Sequence, residues 1–268
     1  MAYQYFDSEV IEILDENDSV KRFFFRVAGL EKFTFKAGQF IMLDLPLNSK
    51  VNNRSYSIAS NPTENNEFEL VVVLKPDGLG TNYLFNEQTI KPGTKVKCSK
   101  ALGKFTLDET TEKEICFICT GTGIAPFRAM LMDLERKGTL KDKKINLIFG
   151  CRFEKDILYR TQFEKLAAEF PNFNYYPVLS RQSDIWQGEK GYVHAVYERL
   201  YANKQPAVFY ICGWKNMIME ARDILHNMGY DRKDIKFELY ASRSIFSETK
   251  KYKIAEQVIM LIAILAIA

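Results

Sequence analysis

The chain has 268 residues, 47% of them hydrophobic and 26% charged, with a formal net charge of +3. That length allows two modest domains or one large one, and the balance is ordinary for a soluble globular protein. Lys and Arg are spread along the chain rather than gathered in blocks, which argues against nucleic acid as a partner and leaves room for a local basic patch facing an acidic protein.

From Met1 to Asp15 there is neither a basic stretch nor an uninterrupted apolar run, so no signal peptide is expected. The five cysteines stand at Cys98, Cys116, Cys119, Cys151 and Cys212. Cys116 and Cys119 form a C-x-x-C inside the apolar run ICFIC. In a strand, residues three apart point to opposite faces, so the pair is badly placed to share a metal and reads as two small core residues. No iron–sulfur spacing occurs and no metal site is expected. A reduced, cytoplasmic protein is the natural inference.

In chain order, the first part carries only strand-like runs, over 4–14, 20–27, 39–45, 54–60, 68–74 and 95–98. They are rich in Val, Ile, Phe and Tyr, with Gly, Pro and Asn between them. Six short strands without a long helix predict a small antiparallel barrel. Beyond 104–113 the pattern becomes strand and helix in alternation. Apolar runs at 115–120, 145–150, 173–179, 207–212 and 235–240 have the length of buried parallel strands. Phe127, Met130, Leu131 and Leu134 fall on one face of a helix between them, as do Phe163, Leu166 and Phe170 on the next. The expected fold is therefore a six-stranded antiparallel barrel followed by a doubly wound, five-stranded parallel sheet with four helices. The expected domains are 1–107, 108–246 and a C-terminal extension, 247–268.

The extension ends in an apolar run, 258–268, behind Lys250, Lys251 and Lys253. It is too short to cross a bilayer of ~30 Å as a helix. A peripheral membrane contact, a packed terminal helix and an oligomer contact remain as readings, the first the least favoured.

Three motifs carry chemistry. Thr120-Gly121-Thr122-Gly123-Ile124-Ala125-Pro126 follows a buried strand and opens a helix. Its glycines let backbone approach a diphosphate, and Pro126 suits a first helical turn whose free N–H groups face an anion. Arg54-Ser55-Tyr56-Ser57 offers a guanidinium fork for phosphate, a flat ring for stacking and a hydroxyl. Gly78-Leu79-Gly80-Thr81 is a glycine-bearing turn with a hydroxyl, suited to a second phosphate contact or to an ordinary turn.

Taken in order, R-S-Y-S, the G-x-x-T turn, T-G-T-G-I-A-P-F-R, L-S-R, K-G-Y, I-C-G and E-L-Y resemble the ferredoxin–NADP reductase superfamily. The nearest pattern is that of the plant-type reductases and their bacterial relatives, over about residues 5 to 246. The resemblance implies an FAD-dependent enzyme, with electrons passing between NADPH (NADH being possible) and ferredoxin or flavodoxin. A reductase component serving an oxygenase is the other reading within the superfamily. It implies that Arg54 and Thr81 hold the flavin diphosphate, that Tyr56 stacks on the flavin, and that Ser57 lies near its reacting nitrogen. Thr120, Gly121, Thr122, Gly123 and Pro126 would form the nicotinamide diphosphate loop. Cys212 and Gly213 would position the nicotinamide. Glu238 and Tyr240 would stand beside the flavin, with Ser57, Cys212, Glu238 and Tyr240 as the catalytic set. Ser180, Arg181, Lys190 and Tyr192 would read the 2′-phosphate and adenine. Unlike the plant pattern, the chain continues past Tyr240, and Phe246 could reach the same region.

Overall fold

The computed structural model describes residues 4–239. Tyr240, Phe246 and the apolar run 258–268 lie outside the described residues. One compact unit runs to Glu238, and a second begins at Leu239.

The first sheet is antiparallel and built from β1 (Tyr5–Asn17), β2 (Val20–Val27), β3 (Phe40–Asp44), β4 (Asn53–Ser57), β5 (Glu67–Val73) and β6 (Lys95–Ser99). Its strands lie in the order β4-β3-β6-β1-β2-β5. The two ends of that order meet just beyond β4. Ile58 bridges Leu70, and the Ala59 N–H donates to the Glu69 carbonyl at 2.8 Å. That seam closes the sheet into the expected barrel, which leaves few free strand edges. Val10, Phe23, Phe25, Phe68 and Leu70 fill it, all essentially inaccessible to solvent. The glycine-bearing turn continues into a short helix, α1 (Leu79–Phe85), where the sequence suggested a turn alone.

The second sheet contains β7 (Glu114–Thr120), β8 (Ile145–Cys151), β9 (Phe173–Leu179), β10 (Glu189–Lys190), β11 (Ala207–Gly213) and β12 (Ile235–Leu239), in the order β10-β9-β8-β7-β11-β12. It has one strand more than the five expected, because β10 is only two residues long and such a stretch has no readable period. The four expected helices are present: α2 (Ala125–Arg136), α3 (Arg160–Glu169), α4 (Val193–Leu200) and α5 (Lys215–Asn227). Phe127, Met130, Leu131, Leu134, Phe163 and Leu166 are buried in one core with Phe117, Cys119 and Cys212, while the buried apolar residues of α4 and α5 lie outside it. Cys116 sits on the other face of β7, bonded to Tyr201, so the C-x-x-C pair is split between faces as its spacing predicts. Ala59 and Val71 of the barrel share the core of Ile124 and Ala125, which joins barrel and sheet through continuous apolar packing.

The chain runs from β7 outward through β8 and β9, then returns to the other side of β7 with β11. In an open parallel sheet such a reversal leaves a crevice at the carboxyl ends of the two flanking strands, here β7 and β11.

Candidate active site

Strand β4 presents the first group of residues. Arg54 pairs across the ladder with Leu43, Tyr56 with Ile41 and Ser57 with Phe40. Arg54 Nη1 donates to the carbonyls of Val51 and Asn53 at 2.9 Å each. A guanidinium has five N–H groups, so these two bonds leave capacity for an anion. Gly80, in α1, lies against the stem of Arg54: a Cβ there would stand 2.7 Å from Arg54 Cγ. The turn and the strand thus form one cradle whose closeness depends on a missing side chain. Tyr56 is half-buried, and burial pushes its phenol well above the usual tyrosine range, with the Arg54 charge pulling the other way. It stays neutral, a flat ring beside a cation. Thr81 is tied into its own turn. Its Oγ1 accepts from the Lys75 N–H at 3.1 Å and lies 3.1 Å from the Lys75 and Gly78 carbonyls. A hydroxyl has one proton to give, so a phosphate oxygen would compete with those carbonyls for it.

Ser57 is 6% exposed. Its Oγ donates to Glu238 Oε2 at 3.1 Å, across 181 positions of sequence. Burial raises the Glu238 carboxyl to about 7, the Ser57 hydrogen bond opposing that rise. Glu238 lines an open groove of about 400 Å³ with Lys104, Phe105, Thr106, Lys236 and Phe237. A second crevice of about 350 Å³, near Ala37 and Met130, includes none of the candidate residues.

The crevice at the strand reversal is built by interlocking backbone. After β7 ends at Thr120, the chain makes a single 3-10 turn, Gly121–Ile124, and enters α2 with Pro126 in its first turn. Gly121 has φ +53°, a left-handed conformation, and open space where a side chain would be. Gly123 is the opposite case: a Cβ would stand 2.7 Å from the Cys212 carbonyl carbon and 2.8 Å from Gly213 Cα. Gly213, at φ +141°, is held as closely, its Cβ position lying 3.0 Å from the Thr120 nitrogen. The Trp214 N–H then donates to Thr120 Oγ1 at 3.2 Å. The two loops therefore meet with no room for a side chain at Gly123 or Gly213. Cys212, wholly buried, ends β11 at this point.

The third group gathers at the outer edge of the same sheet. Lys190 pairs with Leu179 in the parallel β9–β10 ladder, and the Gly191 N–H donates to the Leu179 carbonyl at 2.8 Å. Ser180 and Arg181 follow Leu179 directly, and their N–H groups donate to Cys151 at 3.0 Å and Arg152 at 2.8 Å. So β10 carries Lys190, with Tyr192 two residues beyond, to the place where Ser180 and Arg181 leave the sheet. Arg181 and Lys190 are exposed, and Tyr192 is 73% exposed.

Two features have no counterpart in the sequence reading. Trp214 is a large aromatic left 69% exposed beside Cys212-Gly213. Its position directly after C-G was the available signal. The other is the bonding of Arg128, the last letter of the G-T-G-I-A-P-F-R motif, to Glu69. Nothing in a sequence links two charges 59 positions apart.

Residues 7–107 match the oxidoreductase FAD-binding domain family, and residues 117–223 match the oxidoreductase NAD-binding domain family. The chain belongs to the ferredoxin–NADP reductase superfamily. It is an oxidoreductase whose two parts correspond to an FAD-binding and a nicotinamide-dinucleotide-binding domain. It is 34% identical over 242 residues to ferredoxin–NADP reductase B of Sorangium cellulosum (strain So ce56), covering 88% of this chain and 97% of that one. The anthranilate 1,2-dioxygenase electron transfer component of Acinetobacter baylyi (strain ATCC 33305 / BD413 / ADP1) is 29% identical over 189 residues, 70% of this chain and 53% of that one. Among solved structures, the cytochrome P450 reductase GcoB of Amycolatopsis superposes with a TM-score of 0.79 at 24% identity, over 90% of this chain and 72% of that one, and so shares the fold. Among the described residues, no helix is long and apolar enough to cross a membrane.

Proposed function

We propose that this oxidoreductase carries electrons between NADPH and a one-electron carrier such as ferredoxin or flavodoxin, with residues 1–107 binding FAD and 108–246 binding the dinucleotide. One observation carries the reading: Ser57, on the strand of Arg54 and Tyr56, meets Glu238 of the nucleotide sheet at 3.1 Å. The strand suited to a flavin and the sheet suited to a dinucleotide thus converge on one titratable pair. FAD, when bound, takes up two electrons as a hydride and releases them singly, which suits it to join such carriers.

The chain's own residues hold, orient and supply a proton. Arg54, cradled by Gly80, offers its fork to the flavin diphosphate, and Tyr56 offers a neutral ring for stacking. Thr81 contributes by holding the turn that brings Gly80 against Arg54. With a carboxyl near neutrality, Glu238 Oε2 can hold or release a proton at working pH, and Ser57 Oγ is its relay. Gly121 and Thr122 border the open side of the dinucleotide loop, Gly123 and Gly213 let it close on β11, and Cys212 stands at the nicotinamide position. Arg181 and Lys190 attract the 2′-phosphate and Tyr192 the adenine. The similarity to an electron transfer component of a dioxygenase supports a second reading, delivery to an oxygenase partner. A location in the cytoplasm belongs to the same proposal.

Purified protein should be yellow, release FAD on acid treatment, and bleach under anaerobic NADPH. Ferredoxin, flavodoxin and an oxygenase component, offered in parallel, then separate the two acceptor readings by turnover. A colourless protein that cannot be reconstituted with FAD defeats both.

A further inference from the structure

Arg128 stands in the first turn of α2, four residues beyond the 3-10 turn Gly121–Ile124. Its side chain reaches from α2 to the barrel while keeping a bond to α3. Nη1 donates to the Ala59 carbonyl and to Glu69 Oε2, both at 2.8 Å, while Nε donates to Gln162 Oε1 at 2.7 Å. Ala59 and Glu69 are hydrogen-bonded backbone to backbone in the barrel seam, next to the Ile58–Leu70 bridge. Ala59 also lies two positions after Ser57. One guanidinium therefore spans from the helix that opens on the dinucleotide loop to the strand end that carries the proposed flavin site.

Glu69, 3% exposed, is bonded through both of its oxygens. Its other oxygen, Oε1, accepts from Arg22 Nε at 2.5 Å and from the Tyr159 hydroxyl at 2.7 Å. The Tyr159 ring packs against both guanidinium groups, whose carbons stand 4.9 Å (Arg22) and 4.3 Å (Arg128) from its centroid. Arg22 takes Glu16 as its second carboxylate at 3.2 Å. Two arginines and two glutamates thus balance in charge. Tyr159 holds φ +54°, a left-handed conformation that a tyrosine adopts only when its surroundings require it.

Adhesion between barrel and sheet does not need this cluster, because Ala59, Val71, Ile124 and Ala125 already share a core. A buried ion network contributes little net stability compared with apolar packing; what its directional bonds can add is a fixed register. We propose that Arg128, Glu69 and Tyr159 are positioning residues, a clamp that sets the register of the dinucleotide loop against the Ser57 strand. The proposal rests on the reading of those two segments as nicotinamide and flavin sites. Misplacement of reactants by about 1 Å costs roughly 100-fold in rate, so a loosened clamp should slow the chemical step while leaving both binding sites formed.

The test uses FAD-loaded parental protein, Tyr159→Phe, Arg128→Lys and Arg128→Met. Tyr159→Phe removes one hydroxyl and Arg128→Lys keeps the charge, so both should fold and retain FAD. In both, hydrogen exchange at the amides of 57–60 and 121–128 should quicken. The limiting rate of flavin reduction at saturating NADPH should fall about 10-fold in Tyr159→Phe and more in Arg128→Lys, with the NADPH dissociation constant within about twofold of parental. The primary isotope effect from deuterated NADPH should become more temperature-dependent. Parental exchange and parental reduction rates in these two variants overturn the clamp. So does a slowing that only follows lost FAD or weaker NADPH binding. If the parental protein itself is not reduced by NADPH, the functional reading fails, an outcome distinct from unchanged variants of a competent parent. Arg128→Met, if it folds, gives the largest loss.

Discussion

Ser57 Oγ and Glu238 Oε2, 3.1 Å apart, join the last strand position of the barrel's R-S-Y-S run to the final strand of the nucleotide sheet. The carboxylate has been taken far enough from water that it protonates near neutrality rather than near its ordinary value. A pair so poised has one partner that changes charge at working pH and another that senses it.

That shift fixes the sign of a stability measurement. Unfolded, a glutamate titrates near about 4.3, whereas Glu238 in the folded protein titrates at about 7. The folded state therefore binds the proton more tightly, so the stabilisation is complete below the unfolded value and is lost as pH rises through 7. The loss for flavin-free protein should be at most about 3 kcal/mol between pH 4.5 and 7.5. Denaturant unfolding across that range checks it. Glu238→Gln should flatten the slope, and in FAD-loaded enzyme should remove a titration near neutrality from the rate of flavin reduction.

The two loop glycines should respond to alanine in different ways. At Gly121 a side chain meets open space but the left-handed backbone resists it, a cost of roughly 1–2 kcal/mol in stability. At Gly123 the methyl runs into the Cys212 carbonyl and Gly213, both backbone, so the end of β11 must move away from β7. Gly123→Ala should weaken NADPH binding by at least about 10-fold while FAD content is unchanged, and Gly121→Ala should weaken it less. Fluorescence or calorimetric titration of both variants with NADP decides the ranking.

Flavin retention should depend on Arg54 more than on Ser57. A hydrogen bond to a charged group contributes about 1.5–3 kcal/mol and a neutral one about 1 kcal/mol. Arg54→Ala also empties the cradle that Gly80 fits. Dialysis followed by flavin assay should show an FAD dissociation constant raised about 10- to 100-fold in Arg54→Ala and about fivefold in Ser57→Ala. Equal losses would mean the phosphate lies elsewhere.

Cofactor preference should reside at the outer edge of the sheet. The β9–β10 ladder sets Lys190 beside Leu179, directly before Ser180 and Arg181, and the proposed 2′-phosphate site uses both cations. Arg181→Ala should raise the KM for NADPH about 10-fold and leave that for NADH nearly unchanged. Steady-state kinetics with both cofactors checks it, and equal efficiency of the parental enzyme with NADH would remove the basis for the preference.

The elements with a long enough period were legible in the sequence. Runs rich in Val and Phe at 20–27 and 68–74 marked barrel strands, and Phe127, Met130, Leu131 and Leu134 marked the core face of α2. What escaped was short or distant. Two residues cannot show a period, so β10 was invisible, although it pairs Lys190 with Leu179, two residues before Arg181. Glycines at 78 and 80 masked α1 as a turn, and nothing local told that the Thr81 hydroxyl would turn back on Lys75 and Gly78. Glu69, inside the run FELVVV, looks like an outward-facing strand charge. Its burial with Arg22, Arg128 and Tyr159 depends on tertiary placement that local pattern does not encode.

The bare backbone contact between Gly123 and Cys212-Gly213 has a consequence for engineering. Neither segment has slack with which to accommodate a foreign neighbour, so the two behave as a single exchangeable part. A loop transplanted from a relative to alter cofactor use would have to bring its own strand-end partner with it, and residues 120–126 and 212–214 would need to be swapped together. Swapped singly, either graft would carry a mismatched surface into a joint packed largely backbone on backbone, where the Thr120 hydroxyl is already bonded to Trp214.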